Sequence, residues 1–197
     1  MPVLILFLTA FCFNTILLAQ DQLSEQFEKG IELFEKRKFA KAERIFDKLL
    51  KEEPSFAAVY IWKGKCLHEF EEYQAAYEAI STACNLDPTE GVYWFELGLF
   101  KYTIAITSIK KPELCSDCGK FLLPEGSRLK ATDYYKSALK DYQKAVQLNS
   151  NHSEAYYQMG ITYVALSDTK NACLQLQKAV DLKHSKASKY RLEICSN

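Results

Sequence analysis

The chain has 197 residues, enough for one domain with a substantial core. Lysine plus arginine and aspartate plus glutamate both total 25, so the overall charge gives no reason to expect a nucleic-acid or anionic-membrane partner. Only seven glycines and five prolines interrupt a composition rich in alanine, leucine, tyrosine, glutamate and lysine. With no strand-like alternation of useful length, this composition favours an all-helical protein.

Residues 1–19 form a separate apolar unit without a charged side chain, and Leu18-Ala19 stands directly before Gln20. A small residue at the end of an apolar run is typical of a secretory signal peptide that is cleaved on export. The segment therefore predicts a periplasmic or secreted protein. The run also approaches the ~20 residues that span a bilayer, so an uncleaved membrane anchor remains the alternative.

From about residue 23 onward, small and apolar residues recur at fixed offsets of 12, 16, 19 and 24 from a glycine. Three sets follow this rule: Gly30 with Ala42, Phe46, Leu49 and Pro54; Gly64 with Ala76, Ile80, Ala83 and Pro88; and Gly160 with Ala172, Leu176, Ala179 and His184. Glycine and alanine at fixed offsets allow two antiparallel helices to approach closely, while the larger residues fill the remaining volume. A proline then ends the second helix, because it lacks an N–H.

This recurrence, together with the W-x-x-L-G stretch from Trp94 to Gly98, resembles the tetratricopeptide repeat (TPR), a helix–turn–helix unit of about 34 residues, here of the exported bacterial type. The resemblance implies an all-α fold, a right-handed α-solenoid of about four repeats. The expected repeats span about 23–56, 57–90, 91–150 and 153–186, and a short helix at 187–195 caps the last one. Stacking is required because one such hairpin cannot bury its apolar faces alone.

The third repeat contains an insertion of about 28 residues near 103–130, relative to the regular unit. The step from Gly98 to Ala138 is 40 where the other repeats step by 12, and the step from Gly98 to Gly160 exceeds one period by the same amount. Part of the insertion is expected to lengthen the first helix through Tyr102–Ser108. The rest, Ile109–Arg128, contains two prolines and two glycines and is predicted to be a loop.

Cys115 and Cys118 form the only motif with possible chemistry. A redox pair would need a thioredoxin-like βαβ context, and a structural zinc site would need two further ligands. Neither is evident, because the three histidines are not paired at ligand spacing. A disulfide or a plain structural loop is the favoured interpretation, and half a metal site or a redox pair remains open.

Cys173 and Cys195 are predicted to form a disulfide. Cys173 lies near the start of the second helix of repeat four, and Cys195 near the end of the antiparallel helix that follows, so the two should lie side by side. The stretch Asn171-Ala172-Cys173 followed by Cys195 also resembles the C-terminal unit of many exported bacterial repeat proteins. Two buried free thiols are the alternative.

The TPR resemblance also implies a concave groove lined by the first helix of each repeat. The expected groove residues are Phe27, Ile31, Phe34, Ile61, Lys65, His68, Phe95, Leu99, Tyr102, Tyr157 and Ile161. This surface is mostly apolar and aromatic, as a groove that holds a peptide or a helix would be. The alternative is that these residues are core, or that the insertion covers them.

No phosphate loop, nucleophile motif or paired carboxylates appear, so neither catalysis nor a cofactor or metal is expected. The predicted function is an exported, non-catalytic scaffold that binds a protein or peptide partner and no nucleic acid. The alternatives are a membrane-anchored assembly factor and a redox or metal protein that uses Cys115 and Cys118.

Overall fold

The computed structural model describes residues 21–110 and 131–196. The predicted signal peptide at 1–19, the Cys115–Cys118 pair and most of the insertion lie outside these residues. The described residues form helices and no strands. The helices are α1 (21–35), α2 (Phe39–Glu52), α3 (Ala57–Glu69), α4 (Tyr73–Leu86), α5 (Gly91–Lys110), α6 (Ala131–Leu148), α7 (Ser153–Ala165), α8 (Thr169–Asp181) and α9 (Ala187–Cys195).

Consecutive helices pack into hairpins, and the hairpins stack. Helix α3 packs on α4, α5 on α6 and α7 on α8, and the second helix of each pair also contacts the first helix of the next. The first helices contact one another as well, because α5 touches both α3 and α7. This arrangement is an α-solenoid, and the all-α fold predicted from the repeat spacing is confirmed.

The recurring glycines lie where two helices of a hairpin approach most closely. A Cβ atom built on Gly64 would lie 2.6 Å from a side-chain carbon of Ile80, and one on Gly98 would lie 2.7 Å from the ring of Tyr142. Gly160 meets Leu176 in the same way, at 2.6 Å. Since real Cβ atoms do not approach other atoms so closely, the fixed glycine positions are explained by packing.

The tight turns inside the hairpins share one backbone conformation. Arg37, Glu71 and Ser167 all have φ between 56° and 61° and follow the first helix of repeats one, two and four. After α7, the Ser167 N–H donates to the Val164 carbonyl, and the Asp168 N–H to the Tyr163 carbonyl. This pair of bonds is the Schellman motif, which ends a helix by placing one residue in the left-handed region.

Helix α5 is longer than the other first helices and ends only at Lys110. The predicted extension through Tyr102–Ser108 is therefore helical, but the assignment of Ile109 to a loop is wrong. The helix includes Ile109 because no proline or glycine interrupts the sequence from Leu99 to Lys110.

Helix α9 packs on α8 and covers the end of the solenoid. The structure pairs Cys173 of α8 with Cys195 of α9, as predicted, with their Cα atoms 5.9 Å apart. Cys66 and Cys84 are free and buried, and burial raises the pKa of both thiols to about 12. These two cysteines therefore act as small apolar core residues rather than as reactive thiols.

Among the helices that the structure describes, none combines the length and the apolar character that a bilayer crossing requires.

Candidate functional site

The exposed side of α1, α3, α5 and α7 is called the first-helix face here. One depression on this face is a cavity of about 120 Å³ where α1, α3 and α5 meet, with Ile80 of α4 at its base. The cavity is lined by Phe34, Gly64, Lys65, His68, Glu69, Ile80, Glu96, Leu99, Phe100 and Thr103. Four of the predicted groove residues, Phe34, Lys65, His68 and Leu99, thus come together around one depression.

Lys65 is held in a fixed position at the edge of this cavity. Its Nζ atom lies 2.6 Å from Oε1 of Glu96 on α5 and 4.5 Å from the centre of the Trp62 ring. Phe34 of α1 meets the same Trp62 ring edge-on, with the ring centres 5.3 Å apart. The ion pair and the aromatic contacts therefore join three successive first helices around the cavity.

His68 closes the inner wall of the cavity. Its ring lies against Tyr73 and Phe100, with ring centres 5.7 and 5.9 Å apart. Burial lowers the pKa of His68 below its ordinary value, so the imidazole is neutral at pH 7. Within residues 21–110 and 131–196, the buried Nε2 atom has no hydrogen-bond partner.

The C-terminal part of the first-helix face is aromatic. Tyr157 of α7 stacks on His184 at 4.3 Å and meets Tyr190 of α9 edge-on at 6.0 Å, whereas Tyr102 of α5 lies 5.4 Å from Tyr135 of α6. Burial and the neighbouring phenols raise the pKa of Tyr102 to about 12. The phenols are therefore neutral at physiological pH, and this region offers aromatic contact area and hydroxyl groups.

His184 fixes the orientation of Tyr157. Its Nδ1 atom accepts a hydrogen bond from the Lys186 N–H, and its Nε2–H donates to Oε2 of Glu154 at 2.7 Å. Burial alone would raise the pKa of Glu154, but the hydrogen bonds from His184 and Gln158 outweigh it and hold this pKa below its ordinary value. Glu154 is therefore ionised at neutral pH and anchors the imidazole under the tyrosine ring.

Several predicted groove residues lie elsewhere. Ile61 and Phe95 are core residues, 4% and 8% exposed, and their assignment to a groove is wrong in this structure. Phe95 packs on Tyr142 and His152, with ring centres 5.8 and 4.7 Å apart. Both side chains lie in the packed interior of the stack, so the repeat register alone overestimates the accessible surface.

Three further predicted residues belong to other surroundings. Phe27 packs against Phe46 and Phe56 within the first hairpin and its neighbour. Ile31 and Ile161 are half-buried and do not line the cavity.

Sequence reasoning missed several residues that do line the site. Glu69 and Thr103 stand one helical turn beyond Lys65 and Leu99, at i+4, so the helical period already placed them on the same face. Tyr190 was missed because it belongs to the capping helix rather than to a repeat, and His184 because it stands where the other repeats have proline. The turn between α8 and α9 brings His184 to Tyr157, and the packing of α9 brings Tyr190 to it.

A second ion pair is buried between the helices of repeat three. Nζ of Lys101 lies 2.6 Å from Oδ2 of Asp141, and both side chains are 9% exposed. This pair joins α5 to α6 and is structural, because truncating one partner would leave a buried charge. Across residues 21–110 and 131–196, no cluster of three or more histidine, cysteine or acidic side chains is arranged to hold a metal ion.

Comparison with known families identifies the chain. A tetratricopeptide repeat profile matches residues 27–90, and the family described as Regulator of microtubule dynamics protein 1-3 matches residues 68–194, more than half of the chain. The chain belongs to this family. Among curated proteins, none matches this family member significantly.

Solved structures share its TPR fold. TTC0263 from Thermus thermophilus is 17% identical, with a TM-score of 0.67 over 86% of this chain and 81% of the other. MamA from Desulfovibrio magneticus RS-1 is 20% identical, with a TM-score of 0.57 over 83% and 77%. IFIT1 with bound Gppp-AAAA is 18% identical, with a TM-score of 0.66 over 79% of this chain but only 32% of its own.

These identities are low enough that they establish the fold alone. TPR proteins in general are non-catalytic scaffolds that bind protein partners, and this member of the family has the helical architecture on which such binding depends.

Proposed function

We propose that this protein is an exported, non-catalytic scaffold that binds a segment of a partner protein along its first-helix face. The observation that carries the proposal is the cavity between Phe34, Lys65 and Leu99, which opens on three successive repeats. Peptide recognition by helical grooves depends on such apolar pockets. The aromatic region around Tyr157 and Tyr190 extends the same face toward the C-terminus.

The size of the cavity indicates what the partner inserts. Its volume of about 120 Å³ is slightly smaller than the ~150 Å³ apolar cavity that accommodates a benzene molecule, so it has room for one apolar side chain. Burying such a side chain would contribute about 1.5–3 kcal/mol to binding. The Lys65–Glu96 pair at the rim offers one donor and one acceptor to the backbone of the bound segment.

Filling the cavity tests this proposal. Thr103 lines the cavity and is half-buried, so the long side chain in Thr103→Arg would occupy the space from the rim without disturbing the core. Gln74→Arg, on the exposed side of α4, is the matched control. A partner captured by the wild-type chain from the native envelope fraction would be identified, and its affinity for all three proteins measured directly.

We expect Thr103→Arg to weaken binding of the identified partner by about tenfold or more, because the partner can no longer bury one side chain in the cavity. Gln74→Arg should leave the affinity unchanged. Equal affinity of the wild type and Thr103→Arg would refute the assignment of this face. Circular dichroism of each variant must show unchanged helicity.

Export is proposed from residues 1–19 alone, on the apolar run and the small residue before Gln20. Membership of the family described as Regulator of microtubule dynamics protein 1-3 supports a second candidate, regulation of microtubule dynamics by repeats that face the cytosol. In that case residues 1–19 would remain attached as a membrane anchor. The N-terminal sequence of the mature protein separates the two, because a start at Gln20 supports export and a retained segment with co-sedimentation on microtubules supports the second candidate.

A redox or metal role for Cys115 and Cys118 is the remaining alternative. These residues lie outside the described part of the chain, and the proposal of a non-catalytic scaffold predicts that Cys115→Ser retains full function in cells. Loss of function in that variant, with partner binding intact, would favour the alternative.

A further inference from the structure

Charge is unevenly distributed along the solenoid. Residues 21–110 contain sixteen acidic and twelve basic side chains, whereas residues 131–196 contain six acidic and nine basic ones. The equal totals of the whole chain therefore conceal an acidic N-terminal part and a basic C-terminal part. A separation of this kind creates a local field that the net charge does not reveal.

The positive charge is concentrated on the outward sides of α6 and α8, which are second helices. Each of them presents three exposed residues at four-residue steps, and the two sets stand at equivalent positions of consecutive repeats. These residues, called the lysine rows here, are Lys136, Lys140 and Lys144 on α6 and Lys170, Leu174 and Lys178 on α8. Successive members of a row are about 6 Å apart along the helix axis.

The repeat fold does not require lysine at these positions. The equivalent residues are Gln74, Glu78 and Thr82 on α4, and Ala40, Arg44 and Lys48 on α2. Lys48 also has partners, since its Nζ lies 3.1 Å from the Gln26 side-chain oxygen and 3.6 Å from Glu52. The rows are thus a feature of α6 and α8 and not of every repeat.

The lysine rows are not neutralised within the described chain. None of the five lysines forms an ion pair with another residue of 21–110 or 131–196. Only Lys178 has an aromatic contact, 5.3 Å from the centre of the Tyr156 ring. Like charges at i and i+4 destabilise a helix, so the α6 row of Lys136, Lys140 and Lys144 costs stability unless an anion neutralises it.

We propose that the lysine rows bind an acidic segment of a partner protein in an extended conformation. Side chains on alternate residues of an extended chain repeat at about 6.4–6.8 Å, close to the ~6 Å step between successive lysines, so carboxylates can follow a row. Leu174, 53% exposed, provides an apolar contact in the middle of the α8 row. Leu148, one step beyond Lys144, is 38% exposed, and these two leucines offer little apolar area for insertion into a lipid bilayer, which favours a polypeptide over a membrane.

This site is independent of the first-helix face, because it is built on the second helices. The two sites can therefore be occupied at the same time. One partner segment inserts an apolar side chain into the cavity, and an acidic segment binds the lysine rows on the opposite side of the hairpins. The charge of the rows would raise the rate of encounter and select acidic partners.

The test uses the full chain and a fluorescent peptide of about twelve alternating glutamate and alanine residues, which match the row spacing when extended. The test variant is Lys136→Glu with Lys140→Glu and Lys144→Glu. The matched control is Lys41→Glu with Arg44→Glu and Lys48→Glu on α2, where all three residues are exposed and the change in net charge is identical. Affinities are measured at 0.15 M and 0.5 M salt.

We expect the wild type to bind this peptide at 0.15 M salt and to lose affinity at 0.5 M. The α6 variant should bind at least about tenfold more weakly and the α2 variant within about twofold, because charges beyond a Debye length of ~8 Å are screened. If the triple glutamate variant loses helicity, Lys136→Gln with Lys140→Gln and Lys144→Gln makes the same comparison. Thr103→Arg should leave the affinity for the peptide unchanged.

Three outcomes would overturn the proposal. Equal loss in the α2 variant would mean that only net charge matters, and absence of peptide binding by the wild type would remove the site. Binding to vesicles that contain phosphatidylserine, without binding to the peptide, would assign the rows to a membrane surface instead.

Discussion

The close approach of α5 and α6 at Gly98 allows a quantitative test of the claim that packing requires glycine at this position. A methyl group at this position would lie 2.7 Å from two ring carbons of Tyr142 and 3.1 Å from the carbonyl oxygen of Ala138. Tyr142 is fully buried and packs against Phe95, so its ring has no free volume into which to move. Gly98→Ala must therefore separate the two helices or strain the ring.

Two opposing effects determine the size of the change. Overpacking of a filled core by one methyl group costs about 1–3 kcal/mol. Replacing glycine by alanine inside a helix returns about 1 kcal/mol through helix propensity. We therefore expect Gly98→Ala to lower the free energy of unfolding by up to about 2 kcal/mol, even though alanine is the best helix former.

Urea unfolding followed by circular dichroism measures this change, and Tyr142→Ala supplies the control. In the Tyr142→Ala background the methyl group meets no ring, so Gly98→Ala should there become neutral or stabilising by about 1 kcal/mol. The coupling between the two substitutions isolates the steric contact. An increase in stability on Gly98→Ala in the wild-type background would show that the helices do not approach as closely as described.

Three further predictions concern the turn, the disulfide and the acid limb of stability. Ser167→Gly should stabilise the protein by about 1 kcal/mol in thermal unfolding, because glycine adopts φ 59° without strain, whereas Ala165→Gly within α7 should destabilise by about as much. Cys195→Ser should cost about 3 kcal/mol in urea unfolding, because the bond to Cys173 is lost. Folding lowers the pKa of Glu154, so its ionised carboxylate contributes to the free energy of unfolding above the ordinary carboxyl pKa of 4.5, and this contribution is lost as the pH falls. Glu154→Gln should therefore reduce the dependence of the free energy of unfolding on pH in acid.

The sequence was sufficient for the fold because close packing leaves a local trace. Gly64 and Gly160 are glycines for the same reason, since Ile80 and Leu176 leave no room for a Cβ atom. A steric requirement of this kind recurs with the repeat and is visible as spacing. The Cys173–Cys195 pair was accessible by the same route, because antiparallel neighbours bring the ends of α8 and α9 together.

The accessible surface was less predictable than the fold. The position of a residue in the repeat determines which face of the helix it lies on, but not how deeply neighbouring helices bury that face. Lys65 and Phe95 were both assigned to the groove by their positions in the repeat. Lys65 is held at the rim of the cavity by Glu96, whereas Phe95 is buried against Tyr142 and His152. The difference depends on the relative tilt of three helices, which no single repeat encodes.

The lysine rows were overlooked for a different physical reason. Net charge is a sum, and sixteen acidic residues in the N-terminal part offset the basic residues of α6 and α8. In a solenoid each repeat contacts only its neighbours, so charges in distant repeats do not neutralise one another at a Debye length of ~8 Å. For an elongated repeat protein, charge should therefore be counted along each helix row, and by that count the C-terminal second helices form a cationic surface in a chain with no net charge.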